Sequence, residues 1–178
     1  MKSQNSKFNP PAGEARNQNK GFTLMEVIIA IAIIITALIS TIALISFSTT
    51  SIRLNKSKII ATGLAQEGLE IVKNIRDNNW LNYRRTVANW RIGLETGDWR
   101  VQYNMGNLLS FQSIPLKLDS NSFYQYNSGS NTPFGRRINI EHINDDQIKV
   151  TAVVTWIEGG RNQSVSAETR YYNWLKEE

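Results

Sequence analysis

The chain has 178 residues, a formal net charge of +5, no cysteine and one histidine. Without thiols it has no disulfides, zinc–thiolate sites or cysteine nucleophiles, and a lone histidine anchors neither a catalytic triad nor an ordinary zinc site. Lys2, Lys7, Arg16 and Lys20 precede Phe22 with Glu14 as their one counter-charge, leaving +2 of the +5 for the rest, too little to argue for nucleic acid.

Residues 1–21 are polar, with Pro10-Pro11, Gly13 and several Asn, Gln and Ser. They show no periodic apolar pattern and are expected to be disordered until bound or removed. Lys20-Gly21-Phe22-Thr23-Leu24-Met25-Glu26 then opens an apolar run that lasts to Phe47. From 22 to 47 there is no Pro, Gly, Lys or Arg, and Glu26 is the only ionisable side chain. A helix of this length spans about 39 Å, more than a bilayer core requires. An ordinary signal peptide has a shorter apolar region, although Ser46-Phe47-Ser48 matches the small-residue end of one. A plain signal anchor fits the same pattern. Basic residues flank both ends, Lys7, Arg16 and Lys20 before and Arg53, Lys56 and Lys58 after, so charge does not orient the span. Thr23-x-x-Glu26 also matches a capping box.

The order Gly21-Phe22-Thr23-Leu24-x-Glu26, behind a basic leader and ahead of a long apolar run, resembles the N-terminus of type IV pilins and pseudopilins. The resemblance is specific over residues 20–26 and compatible with the whole chain. It implies a leader, 1–21, that a prepilin peptidase removes by cutting between Gly21 and Phe22. It implies methylation of the new amine of Phe22, and a filament packed through the helix, with Glu26 paired to the Phe22 amine. The implied partners are that peptidase, other pilin subunits, an assembly platform in the membrane, and lipid. The implied location is a single-pass membrane protein with a cytoplasmic N-terminus, later part of an extracytoplasmic pilus or pseudopilus. Many type IV pilins bend this helix at a proline. None occurs here, so a straighter first half is expected.

Residues 48–77 read as an amphipathic continuation of the membrane helix. Ala61, Leu64, Ala65, Gly68, Val72 and Ile75 fall on one face, widened by Leu69 and Ile71. Lys73 and Asp77 are spaced to pair at i,i+4. Gly63 and Gly68 each cost about 1 kcal/mol relative to Ala; they either allow a close approach by a sheet or helix or are merely tolerated. Asn78-Asn79-Trp80 is expected to end this helix. Residues 78–137 form the least regular part. A strand is expected from Gly97 to Asn104, paired with 108–111 across Met105-Gly106-Asn107. Short strands are expected in 115–119 and 123–126, and a loop over 127–133.

Residues 138–178 read as an antiparallel meander and a tail. Ile138 and Ile140 alternate with polar residues, and Asn144-Asp145-Asp146 turns. Ile148, Val150, Ala152, Val154 and Trp156 form one face of the next strand and Lys149, Thr151, Val153, Thr155 and Ile157 the other; alternation alone does not say which is buried. Gly159-Gly160 makes a hairpin turn, and Val165, Ala167, Thr169 and Tyr171 alternate on the return. Trp174 is expected to fold back over the sheet edge. Asn-Trp pairs at 79, 89 and 173 share no period. The expected fold is α+β, a long helix packed on a C-terminal antiparallel sheet, each covering the other's apolar face.

Catalytic chemistry finds little support. His142 reads as a solvated turn residue. Asn144, Asp145 and Asp146 lack the spacing of a calcium loop, and turn chemistry explains them. Arg84-Arg85 and Arg136-Arg137, near Tyr83, Trp80 and Trp90, read as a solvated rim rather than a nucleic-acid surface. Glu67 and Glu70 read as surface charges, not an acid–base pair. The resemblance implies a structural subunit of a type IV pilus or related pseudopilus, a minor pilin, and no enzyme activity, metal or cofactor is expected. The alternatives are a membrane-anchored exported binding domain that never polymerises and a DNA-binding competence pilin.

Overall fold

The computed structural model describes residues 21–82 and 90–174. The leader up to Lys20, and Tyr83, Arg84 and Arg85, lie outside the described residues. The chain divides into two compact units, Met1–Phe47 and Ser48–Glu178. One helix, α1 (Leu24–Asn82), supplies the described secondary structure of the first unit and continues into the second. In the first unit its apolar side chains are exposed throughout. It is the one described helix long and apolar enough to cross a membrane.

In the second unit the remainder of α1 is followed by β1 (Gly97–Arg100), β2 (Leu109–Ser110), β3 (Lys117–Leu118), β4 (Tyr124–Gln125), β5 (Ser130–Asn131), β6 (Gly135–Asn144), β7 (Gln147–Glu158) and β8 (Arg161–Tyr172). The main sheet has the order β2-β1-β6-β7-β8, and β4-β3-β5 form a small second sheet. All pairings are antiparallel, so β6, β7 and β8 make the expected meander. Gly159 and Gly160 turn from β7 to β8 with φ of 59° and 73°. A two-residue turn with both φ positive matches the twist of the flanking strands, and glycine adopts it without a Cβ clash.

Ala61, Leu64, Ala65, Gly68, Val72 and Ile75 are all buried, as their spacing predicts. They meet Ile138, Ile140, Ile148, Val150, Ala152, Val154 and Trp156 in one core. The second β7 face, with Val153 half-buried and Thr155 and Ile157 exposed, points away from it. Gly68 lies where the sheet comes closest: a Cβ there would stand 2.7 Å from Ile138 Cδ1 and 3.3 Å from Arg136 Cδ. Gly63 has open space, so only one of the two glycines serves close approach.

Several expectations are corrected. Asn78-Asn79-Trp80 does not end α1, which runs to Asn82. Asn79 is buried and donates to the carbonyls of Trp90 (3.2 Å) and Ile92 (2.8 Å), and Trp80 is buried beside it, so tertiary bonds outweigh weak helix propensity. The strand expected to reach Asn104 stops at Arg100, and the loop over 127–133 contains β5. Lys73 pairs with Glu70 at 3.4 Å, whereas Asp77 holds Arg76 at 2.7 Å. Trp174 packs edge-on against Trp80 of α1.

Val154 is fully buried. Val154→Asp should therefore strand a charge in the core and cost several kcal/mol, while Val153→Asp should cost about 1 kcal/mol or less. Urea unfolding of the two variants measures the difference; equal, small effects would contradict the assigned faces.

Candidate processing and assembly site

Gly21, Phe22 and Thr23 precede the first residue of α1. Thr23 caps the helix: its Oγ1 accepts from the Glu26 amide at 3.3 Å, and its carbonyl accepts from the amides of Glu26 (3.1 Å) and Val27 (3.2 Å). This forms the threonine half of the capping box that the spacing predicts. Phe22 is 80% exposed, and a Cβ at Gly21 would meet nothing within 4 Å. Among the described residues nothing covers Gly21 or Phe22. Glu26 sits in the first turn, where the positive end of the helix dipole favours a carboxylate. No ion pair engages it among the described residues.

The apolar half of the helix satisfies its own polar groups. Thr36 Oγ1 donates to the carbonyls of Ala32 and Ile33, Ser40 to Thr36, Thr41 to Ala37 and Ser46 to Ile42. Hydroxyls bonded back to the preceding turn need no partner from the surroundings, as a hydrocarbon environment demands.

The other residues singled out in the sequence have structural roles. His142 lies in β6, not in the turn; its Nε2 is 2.6 Å from the Leu94 carbonyl, and its amide donates to Thr96 Oγ1 at 3.3 Å. Asn144 Oδ1 accepts from the Asp146 amide at 2.9 Å, a local turn bond, and Asp145 pairs with Arg91 at 3.3 Å. Arg136 is not on a solvated rim. Its side chain is buried, donating from one Nη to Leu64 O at 2.9 Å and from the other to Val101 O at 2.8 Å. Glu67 faces it at 3.4 Å and is therefore a partner of a buried cation, not a plain surface charge. Arg137 is half-exposed and 3.5 Å from Asp98. Sequence reasoning missed Arg136; the available signal was its place one residue before Arg137 on a strand, where alternation sends one of two neighbours inward.

Burial raises the phenol pKa of three tyrosines, Tyr124, Tyr126 and Tyr171. Burial pushes the Tyr126 phenol above its ordinary value against the opposing Arg136 cation. Burial also pushes Tyr171 up to about 12, with Arg76 opposing the rise and Glu70 and Asp77 adding to it. Tyr171 donates to Leu69 O at 2.8 Å, and the Arg76 guanidinium lies between the rings of Trp80 and Tyr171 at 4.4 and 4.7 Å.

Residues 16–47 match the family model of the prokaryotic N-terminal methylation motif. This is the type IV pilin signature, and the chain carries it on the segment whose geometry is described above. It supports a pilin- or pseudopilin-like precursor and implies processing by prepilin peptidase and assembly with other pilins. The motif points to a structural subunit rather than an enzyme, and with the apolar helix it fits a membrane-anchored, later surface-exposed protein. No curated protein and no solved structure is significantly similar to the chain.

The two helix glycines should respond in opposite ways. Gly68→Ala forces its Cβ against Ile138 and the pinned Arg136 stem, and the overpacking should outweigh the gain in helix propensity by about 1–2 kcal/mol. Gly63→Ala meets nothing and should stabilise by up to about 1 kcal/mol, both read by urea unfolding. The raised Tyr171 pKa means that the folded state holds the neutral phenol more tightly than the unfolded state. Its contribution is full below pH 10 and is lost as pH rises towards about 12. Tyr171→Phe should flatten the fall in stability across that window and cost about 1 kcal/mol at neutral pH. Unfolding curves taken at several alkaline pH values check it.

Proposed function

We propose that the chain is the precursor of a minor pilin-like subunit of a type IV pilus or related pseudopilus. The observation that carries this reading is the methylation motif at the start of an exposed apolar helix, with Gly21 and Phe22 ahead of the first turn and Glu26 within it. In this reading 1–21 is the leader, 22–47 holds the subunit in the membrane and then packs in the filament, and 48–77 continues that helix. Residues 78–137 are the variable region, and 138–178 the meander and tail. The N-terminus faces the cytoplasm, prepilin peptidase cuts between Gly21 and Phe22, and the Phe22 amine is methylated. The assembly platform and lipid are the membrane partners.

A carboxylate in an apolar helix costs about 2.5–3.5 kcal/mol at mid-bilayer and less near an interface. Before assembly Glu26 lies close enough to the helix start to reach headgroups. In a filament, away from water, it needs a cation, and the Phe22 amine of its own or an adjoining subunit provides one. Only one axial stagger joins the two groups, so the pair sets register. The reading of an anchored domain that never polymerises needs no cut at Gly21. The nucleic-acid reading gains nothing from Arg136, whose guanidinium is spent inside the fold.

N-terminal sequencing with mass of the protein recovered from membranes should find methylated Phe22. An N-terminus near Thr49, as an ordinary signal peptide would leave, would end this reading, and an intact leader would favour the anchor. Gly21→Val should leave an unprocessed precursor; because its side chain would meet nothing in the fold, that loss would reflect recognition by the peptidase. Glu26→Gln should be cleaved normally yet enter filaments poorly. A capping role alone predicts a nearly silent change, since Gln also serves in capping boxes.

A further inference from the structure

A groove of about 680 Å³ lies on the second unit, where the segment before Leu116 meets the outward face of β6, β7 and β8. Its size is within the range of small-molecule sites, roughly 300–1,000 Å³. Phe111, Ile114 and Ile157 give it exposed apolar walls, at 39%, 38% and 66% exposure. Gln112, Thr155 and Ser164 line it with amide and hydroxyl groups that no side-chain hydrogen bond engages among the described residues. Gly135 pairs with Thr155 across the strands, and Thr155 is exposed. Among the described residues no carboxylate lines the groove. Arg137 does, about half exposed and held only by Asp98 at 3.5 Å.

We propose that this groove binds a carboxylate-bearing glycan, an oligosaccharide containing uronic or sialic acid. Sugar rings present C–H faces that suit Phe111 and Ile157, and hydroxyls that suit Thr155, Ser164 and Gln112. A sugar carboxylate matches the planar fork of Arg137, which pairs with carboxylates through two parallel hydrogen bonds. The lining disfavours the two rival ligands. A peptide strand joins a sheet through unpaired backbone groups; β6 and β7 on the groove floor are paired on both sides, and the free edge of β8 lies at the groove margin. A nucleic acid needs a row of cations and stacking faces. Here Arg136 donates to Leu64 and Val101 inside the fold, which leaves Arg137, among the described residues, as the one guanidinium turned to the groove. The inference does not rest on the processing reading and stands or falls separately from it.

The test applies the full chain, held in phosphatidylcholine nanodiscs, to an immobilised panel of uronic- and sialic-acid oligosaccharides and their carboxyl-reduced counterparts. Retention on the acidic members and its loss on the reduced ones is the expected result. Arg137→Gln should weaken binding about tenfold or more, the size of a lost charge-assisted hydrogen bond. Phe111→Ala should weaken it as well, whereas Arg170→Gln, outside the groove lining, should not. Equal retention of acidic and reduced glycans, no retention of either, or an unchanged Arg137→Gln variant would overturn the proposal. So would displacement by a single-stranded oligonucleotide as effective as by free acidic glycan, or concentration-dependent self-association that the Phe111→Ala change abolishes.

Discussion

The second unit depends on where the guanidinium of Arg136 goes. A buried cation is costly unless its donors are met, and a half-met one costs more than an apolar replacement. The two Nη groups of Arg136 meet carbonyls from two separate segments, Leu64 on α1 and Val101 just past β1, with Glu67 at 3.4 Å as counter-charge, and only its Nε is left buried without a hydrogen bond. Its own carbonyl accepts from the Tyr126 hydroxyl at 3.3 Å. One residue of β6 thus fixes the helix, the end of β1 and the segment after β4. These bonds are directional, so they specify a register that apolar contact between helix and sheet leaves open.

Gly68 makes that arrangement possible. Side chains on a helix lean towards its N-terminus, so the residue at 68 is placed to cover the carbonyl one turn earlier, at Leu64. With no side chain at 68, the Leu64 carbonyl is open to Arg136, and the Arg136 stem and Ile138 lie flat on the helix. A residue unfavourable to helix by about 1 kcal/mol is thereby offset by a charge-assisted bond and close packing.

Regular periods were legible in the sequence because they are local. Two-residue alternation located β6, β7 and β8, and three- and four-residue spacing located the helical stripe from Ala61 to Ile75. The choice between the two faces of β7 was not legible, since both carry valine or isoleucine; it follows from which face meets α1. The end of α1 was misread because Asn79 is a poor helix former until the carbonyls of Trp90 and Ile92 take its amide. Nor did the Asn-Trp pairs show their purpose. They share no period, yet Asn79 holds the Trp90 carbonyl and Trp80 meets Trp174, so residues far apart in sequence close one end of the unit. At the N-terminus the cap of Thr23 on Glu26 was legible from spacing alone. Arg136 was hidden by its charge, which composition assigns to the surface.

The two halves of α1 solve different problems with the same backbone. From Ala61 onward the helix gains its stability from the sheet, as short amphipathic helices generally do. Residues 24–47 have no sheet to meet and expose apolar side chains on every face. So large an apolar surface requires lipid or neighbouring helices around it. With Thr36, Ser40, Thr41 and Ser46 bonded internally, little but van der Waals packing remains to hold such neighbours together. Packing of that kind, between faces that are mostly apolar, distinguishes one stagger from another only weakly. On the proposed reading, the information that sets the stagger must then come from the single ionisable group in the stretch, Glu26, or from the surface of the second unit.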